Sequence, residues 1–162
     1  MYNIPAVNAI IFYIGLKGMK ARLDSQQKSS QIAAFNTPAI QLYAALIKDL
    51  DPEGRSIVVN AMANQLRYPN AHTQYFSFAI LNLFENANDE KIQEQITRVL
   101  LERLIANRPH PWGLLVTFIE LIKNPRYDLL NHSFTKLAPE IERLFESVAK
   151  SCSGKSGDTN DL

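Results

Sequence analysis

Apolar positions recur along this chain at intervals of three and four residues, and that spacing governs nearly all of it. Ala39, Tyr43, Leu46, Ile47 and Leu50 form one stripe, and Val58, Ala61, Met62 and Leu66 form the next. Ile92, Ile96, Val99, Leu100 and Leu104 repeat the pattern, as do Val7, Ile10, Ile11 and Ile14 near the start. Towards the end, Ile141, Leu144, Phe145 and Val148 share a face, with Glu140, Glu142, Arg143 and Glu146 between them. Residues three and four apart stand above one another on a helix, so each stripe marks the buried side of an amphipathic helix. No stretch alternates with period two between hairpin dipeptides, and a sheet is not expected.

The punctuation agrees with the stripes. Thr37-Pro38 and Asp51-Pro52 each set a capping oxygen before a proline at the first helical position, where a missing N–H is harmless. Asn107-Arg108-Pro109 and Asn124-Pro125 close two helices with asparagine in the last turn and proline just beyond. The pattern predicts helices near 5–21, 38–49, 52–66, 70–86, 89–106, 110–123 and 139–151, with a less regular turn around 126–131. Short connections suggest antiparallel pairs: 38–49 with 52–66, 70–86 with 89–106, and 110–123 with 139–151. Their spacing is near the roughly 40 residues of HEAT-type repeats. The expected fold is all-α, an α-solenoid segment of HEAT-like pairs, with a compact irregular bundle as the alternative. The N-terminal helix is expected over 1–22, a polar, flexible linker over 23–36, the helical domain over 37–151 and a disordered tail over 152–162.

Composition narrows this picture without changing it. A chain of 162 residues, 46% of them hydrophobic, suits one packed domain and excludes extensive disorder. Lysine plus arginine number 17 against 16 acidic residues, so the net charge is +1 and a strongly basic nucleic-acid footprint is absent. The one cysteine, Cys152, allows no internal disulfide or cysteine-built zinc site and fits a reducing compartment. The apolar run Ala6–Leu16 is too short for a membrane span and lacks a basic start, so a soluble, intracellular protein with no membrane contact is expected.

The search for catalytic chemistry yields none. His72, His110 and His132 stand far apart, each near a loop or helix end, and no metal-ligand spacing joins them. Gly154-Lys155-Ser156 imitates the end of a phosphate-binding loop, but Ala149 stands where that loop needs its first glycine. Cys152 has no histidine beside it to make a thiolate. Glu94, Arg98 and Glu102, four apart, read as an exposed ion-pair ladder. No cofactor, metal or catalytic residue is expected, and the protein is read as not an enzyme. Interaction chemistry remains. The connection NRPHPWG (Asn107–Gly113) holds two prolines, a histidine and the only tryptophan, Trp112, which at the start of an apolar helix suits a core position better than an interface. Tyr68, Tyr75, Phe76 and Phe78 surround His72, and their spacing does not bring all of them to one face.

The strings NQLRYPN (Asn64–Asn70), IQEQITRVLLERLIANRPHPWGLLVTFIELIKNP (Ile92–Pro125) and APEIERLFESVA (Ala138–Ala149) carry a resemblance. Together they resemble the C-terminal Not domain of the large scaffold subunit, Not-one, of the Ccr–Not deadenylase complex, from Tyr2 to about Cys152. The chain departs from relatives at Leu129-Leu130, where they carry aromatics, and throughout 23–36. The resemblance implies the C-terminal part of a longer, all-helical, HEAT-like domain without enzymatic activity. It further implies docking of the Not-two and Not-three (or Not-five) subunits and, in animals, of short linear motifs from RNA-binding repressors such as Nanos. The role implied is support of messenger RNA deadenylation, decay and translational repression, in the cytoplasm, including mRNA-decay foci, and also in the nucleus. Where the resemblance is densest, Arg67, Tyr68, His72, Tyr75, Arg108, His110 and Trp112 form the expected partner surface, since interfaces favour tyrosine, tryptophan and arginine. The rival reading is a direct RNA-binding helical repeat, for which Arg55, Arg67, Arg98, Arg103 and Arg108 supply only a scattered set of cations.

Overall fold

A computed structural model describes residues 1–27 and 37–137, with isolated positions 143, 146, 147 and 150 beyond them. Its helices are α1 (Ile4–Gln27), α2 (Pro38–Asp49), α3 (Pro52–Ala63), α4 (Ala71–Asn86), α5 (Glu90–Ala106), α6 (Trp112–Lys123) and α7 (Ser133–Leu137), with a 3₁₀ turn at Leu129–Asn131 before α7. No strand occurs among the described residues, and no helix there is long and apolar enough to cross a membrane. The helix expected over 139–151, with its central Phe145, lies almost wholly outside the described residues, as do the tail and Cys152.

The ends of the helices follow their capping chemistry. Asp51 Oδ1 accepts from the Gly54 amide at 2.7 Å, so α3 begins where the Asp-Pro pair placed it. It also accepts from the Tyr2 hydroxyl at 2.9 Å, tying the N-terminus to α3. Asn70 caps α4 through the Thr73 amide at 2.9 Å. Thr37 departs from expectation: it stands at the N-cap of α2, but its side chain makes no cap bond and is buried. Helix α3 stops at Ala63 rather than 66, and residues 64–70 form the turns that lead to α4. Helix α1 runs on to Gln27, and the rest of the expected linker, 28–36, is outside the described residues.

Antiparallel pairs α2/α3 and α4/α5 stack side by side, and α6 lies against α4 and α5. Helix α1 crosses α2, α3 and α4 and closes one side of the core. Gly15 and Gly18 permit the crossing, since a Cβ on Gly15 would sit 2.2 Å from the Phe76 ring and one on Gly18 would sit 2.0 Å from the Tyr75 hydroxyl. Ile11 is buried there, and its carbonyl accepts from the Tyr43 hydroxyl at 2.7 Å. Tyr43, Met62, Phe76, Phe84, Leu100 and Phe118 are fully buried and form one continuous core through all the pairs.

Candidate functional site

Two connections on one edge of the stack build the site. The residues after α3 turn back at Gln65–Arg67, and the connection from α5 to α6 passes beside them. Backbone hydrogen bonds join the two: Gly113 N donates to Arg67 O and Leu114 N to Leu66 O, each at 3.1 Å. These are amides of the first turn of α6, which have no partner inside their own helix. Pro111 at the cap offers no side-chain acceptor, so the carbonyls of 66 and 67 take that role. Only glycine fits at 113. A Cβ there would lie 2.2 Å from Thr73 Cγ2 and 3.0–3.1 Å from backbone atoms of Leu66. Thr73 is itself fixed, its hydroxyl donating to Gln65 O at 2.8 Å.

Between these connections lies a groove of about 580 Å³. Ala63, Leu66 and Leu114 give it an apolar floor, and Tyr68, Ala106, Pro109, Pro111 and Trp112 form its rim. Arg67, Arg103, Arg108 and His110 also line it, and no aspartate or glutamate does. Arg103 is held from α3: its Nη1 donates to Asn60 Oδ1 at 3.1 Å and its Nη2 to Asn64 Oδ1 at 2.7 Å. Burial lowers the pKa of its guanidinium, and the neighbouring Arg67 charge adds in the same direction. The α5–α6 connection is braced internally, with Asn107 Nδ2 donating to Arg103 O at 2.8 Å and His110 Nδ1 meeting Asn107 O at 3.0 Å.

Five of the seven expected partner residues converge here: Arg67, Tyr68, Arg108, His110 and Trp112. Tyr68 and Trp112 are 75% and 45% exposed, so Trp112 is a rim residue and not a core staple. His72 lies apart, half-buried with its ring 5.9 Å from that of Phe12 on α1. Tyr75 is a correction. It is 3% exposed and packed on Gly18 beneath α1, as a core side chain outside the groove. The aromatics of α4 do face two ways, and α1 covers the second side. Sequence reasoning passed over Arg103 as one of several scattered arginines, yet Arg67, Arg103 and Arg108 share the groove. The signal was its position seven residues after Ile96, on the buried stripe of α5. Arg98 instead pairs with Glu94 at 2.8 Å, and that is the part of the expected ladder present among the described residues.

Among the described residues no group of three or more His, Cys, Asp or Glu side chains is placed to hold a metal ion. A second surface feature, the side of α1 and α2 where Tyr13, Lys17 and Leu42 meet, is mainly apolar and smaller, at about 270 Å³.

The family model described as "CCR4-Not complex component, Not1" matches residues 1–149. The CCR4-NOT transcription complex subunit let-711 of Caenorhabditis elegans is 50% identical over 151 residues, which is 93% of this chain and 6% of that protein. General negative regulator of transcription subunit 1 of Schizosaccharomyces pombe is 40% identical over 144 residues, 86% of this chain and 7% of that protein. The chain thus spans only a small part of the length of these relatives. Among solved structures, the NOT1 superfamily homology domain from Chaetomium thermophilum aligns with a TM-score of 0.80 and 33% identity, covering 94% of this chain and 30% of that one. A Not1 C-terminal domain in complex with Not4 aligns with a TM-score of 0.68 and 34% identity, covering 85% and 28% respectively.

Proposed function

The chain belongs to the Not1 family, the non-catalytic scaffold subunit of the CCR4-Not complex, and from that premise we propose that it is a docking module for other subunits of the complex. Its edge groove receives extended segments of Not-two and Not-three (or Not-five), and short motifs of RNA-binding repressors such as Nanos. By holding these proteins on the scaffold it supports messenger RNA deadenylation, decay and translational repression in the cytoplasm, with a further nuclear role. The observation that carries this reading is the groove at residues 66–68, 103 and 108–112. Its rim of exposed tyrosine, tryptophan and arginine over an apolar floor has the composition of a protein-binding hot spot. The solved relative in complex with Not4 supports the class of partner. Mechanistically this is equilibrium binding: apolar anchors of the segment enter between helix ends, and the arginines set register and association rate.

A direct RNA-binding role draws on the same arginines and aromatics, and is the weaker reading because a net charge of +1 supplies no extended basic track. The test is a pull-down from extract with the tagged full chain and identification of retained proteins. Recovery of Not subunits insensitive to ribonuclease is expected. A folded sample that retains none of them, or retains them only through RNA, would overturn the docking reading.

A further inference from the structure

The charged side chains that line this groove are all basic. Arg98 on α5 pairs with Glu94, and Arg126 after α6 pairs with Glu85. Arg67, Arg103 and Arg108 pair with no carboxylate among the described residues, although they line one groove together with His110. Arg103 is the most telling. It is half-buried, its side-chain partners are the neutral amide oxygens of Asn60 and Asn64, and its Nε is buried without a partner. A guanidinium drawn partly out of water beside the like charge of Arg67 is poorly compensated by neutral acceptors, and an anion would complete it. Planar guanidinium groups are matched best by carboxylates, through paired N–H···O bonds.

We propose that this groove takes an acidic stretch of a partner protein, with a carboxylate set among Arg67, Arg103 and Arg108 and an adjoining apolar side chain against Trp112 and Leu114. The inference rests on the docking function and names the chemistry of the segment that docks. A volume of about 580 Å³ admits a few residues of extended chain. Its mixed lining favours a peptide over nucleic acid. A nucleic-acid strand needs cations spaced along a track, whereas these three line a single groove with an apolar floor.

The test is an array of short overlapping peptides tiling the other Not subunits of the same organism, with the whole subunits and an oligoadenylate alongside. It is probed with the labelled full chain and with the double variant Arg67→Glu/Arg108→Glu. Both residues are exposed, and circular dichroism checks the fold; Arg67→Gln/Arg108→Gln replaces the double variant if it is unfolded. The wild-type chain is expected to retain peptides in which Asp or Glu adjoins a large apolar residue. Their affinity should fall about tenfold or more in the variant, and the difference should narrow as salt is raised. Equal retention by both proteins, or retention of oligoadenylate but no acidic peptide, overturns the proposal. Whole subunits held equally by wild type and variant leave docking intact and remove this groove from it. If the folded wild type holds no subunit at all, the docking function itself fails and the proposal with it.

Discussion

Gly113→Ala tests the junction that shapes the groove. In most helix positions this change stabilises by about 1 kcal/mol, because alanine is the better helix former. Here the added Cβ would lie 2.2 Å from Thr73 Cγ2 and 3.0–3.1 Å from the backbone of Leu66, and backbone cannot swing aside. Overpacking of this kind costs about 1–3 kcal/mol. If α6 retreats to relieve it, the bonds from Gly113 N to Arg67 O and from Leu114 N to Leu66 O lengthen, at roughly 1 kcal/mol each. The two costs are alternatives, and either one set against the gain in helix propensity leaves a net destabilisation of up to about 2 kcal/mol. Urea melts followed by circular dichroism measure it. Thr73→Ser supplies the internal control, since it removes Cγ2 and keeps the hydroxyl that donates to Gln65 O. The double variant should recover a large part of the loss, leaving the tight contact with Leu66. A stable Gly113→Ala protein, or a Thr73→Ser change that gives no relief, would refute the close-approach argument.

Three other outcomes follow from the same structure. Tyr75→Ala should destabilise by about 3–5 kcal/mol because it empties a core position, whereas Tyr68→Ala should stay within about 0.5 kcal/mol in melts yet weaken binding of Not subunits in titrations. Tyr43→Phe, which removes the hydroxyl donating to Ile11 O, should cost about 1 kcal/mol in a denaturant melt; an unchanged midpoint would mean that α1 is not held there. The Asp51 carboxyl is held below its ordinary pKa by the Gly54 amide first and the Tyr2 hydroxyl second, so its contribution is complete above the unfolded value of about 3.9 and is lost as pH falls through it and below. Asp51→Asn keeps the acceptor without the charge, so the stability difference between the two proteins should shrink in melts below about pH 4, and a difference constant with pH would contradict the assignment.

Local rules made the helices legible. Asp51-Pro52 and the periodic stripes of α2, α4 and α5 depend only on residues a turn apart, and those helices fall within a residue or two of expectation. What could not be read was the packing of α1. Nothing near Tyr75 in sequence announces that Gly18, more than fifty residues earlier, makes a slot for its ring. Tyr75 therefore looked like a surface aromatic. Five groove residues were recognisable as interface types, but the groove depends on two carbonyls, those of Leu66 and Arg67, capping a helix nearly fifty residues away. Backbone groups carry no sequence signature. Arg103 could have been found, because a charge on the buried stripe of α5 requires partners, and Asn60 on α3 and Asn64 just beyond its end supply them.

The central claim, that this edge groove docks other Not subunits, is tested most directly by site-specific photocrosslinking. A photoreactive aromatic placed at Trp112 reports on the groove, and the same group at Leu130, 56% exposed and beyond the far end of α6, reports on the surface away from it. Both proteins are incubated in extract and irradiated, and the adducts are identified by mass spectrometry. The groove account predicts adducts to Not subunits from position 112 and few or none from 130. Adducts to those subunits from 130 with none from 112, in two folded proteins, would contradict it.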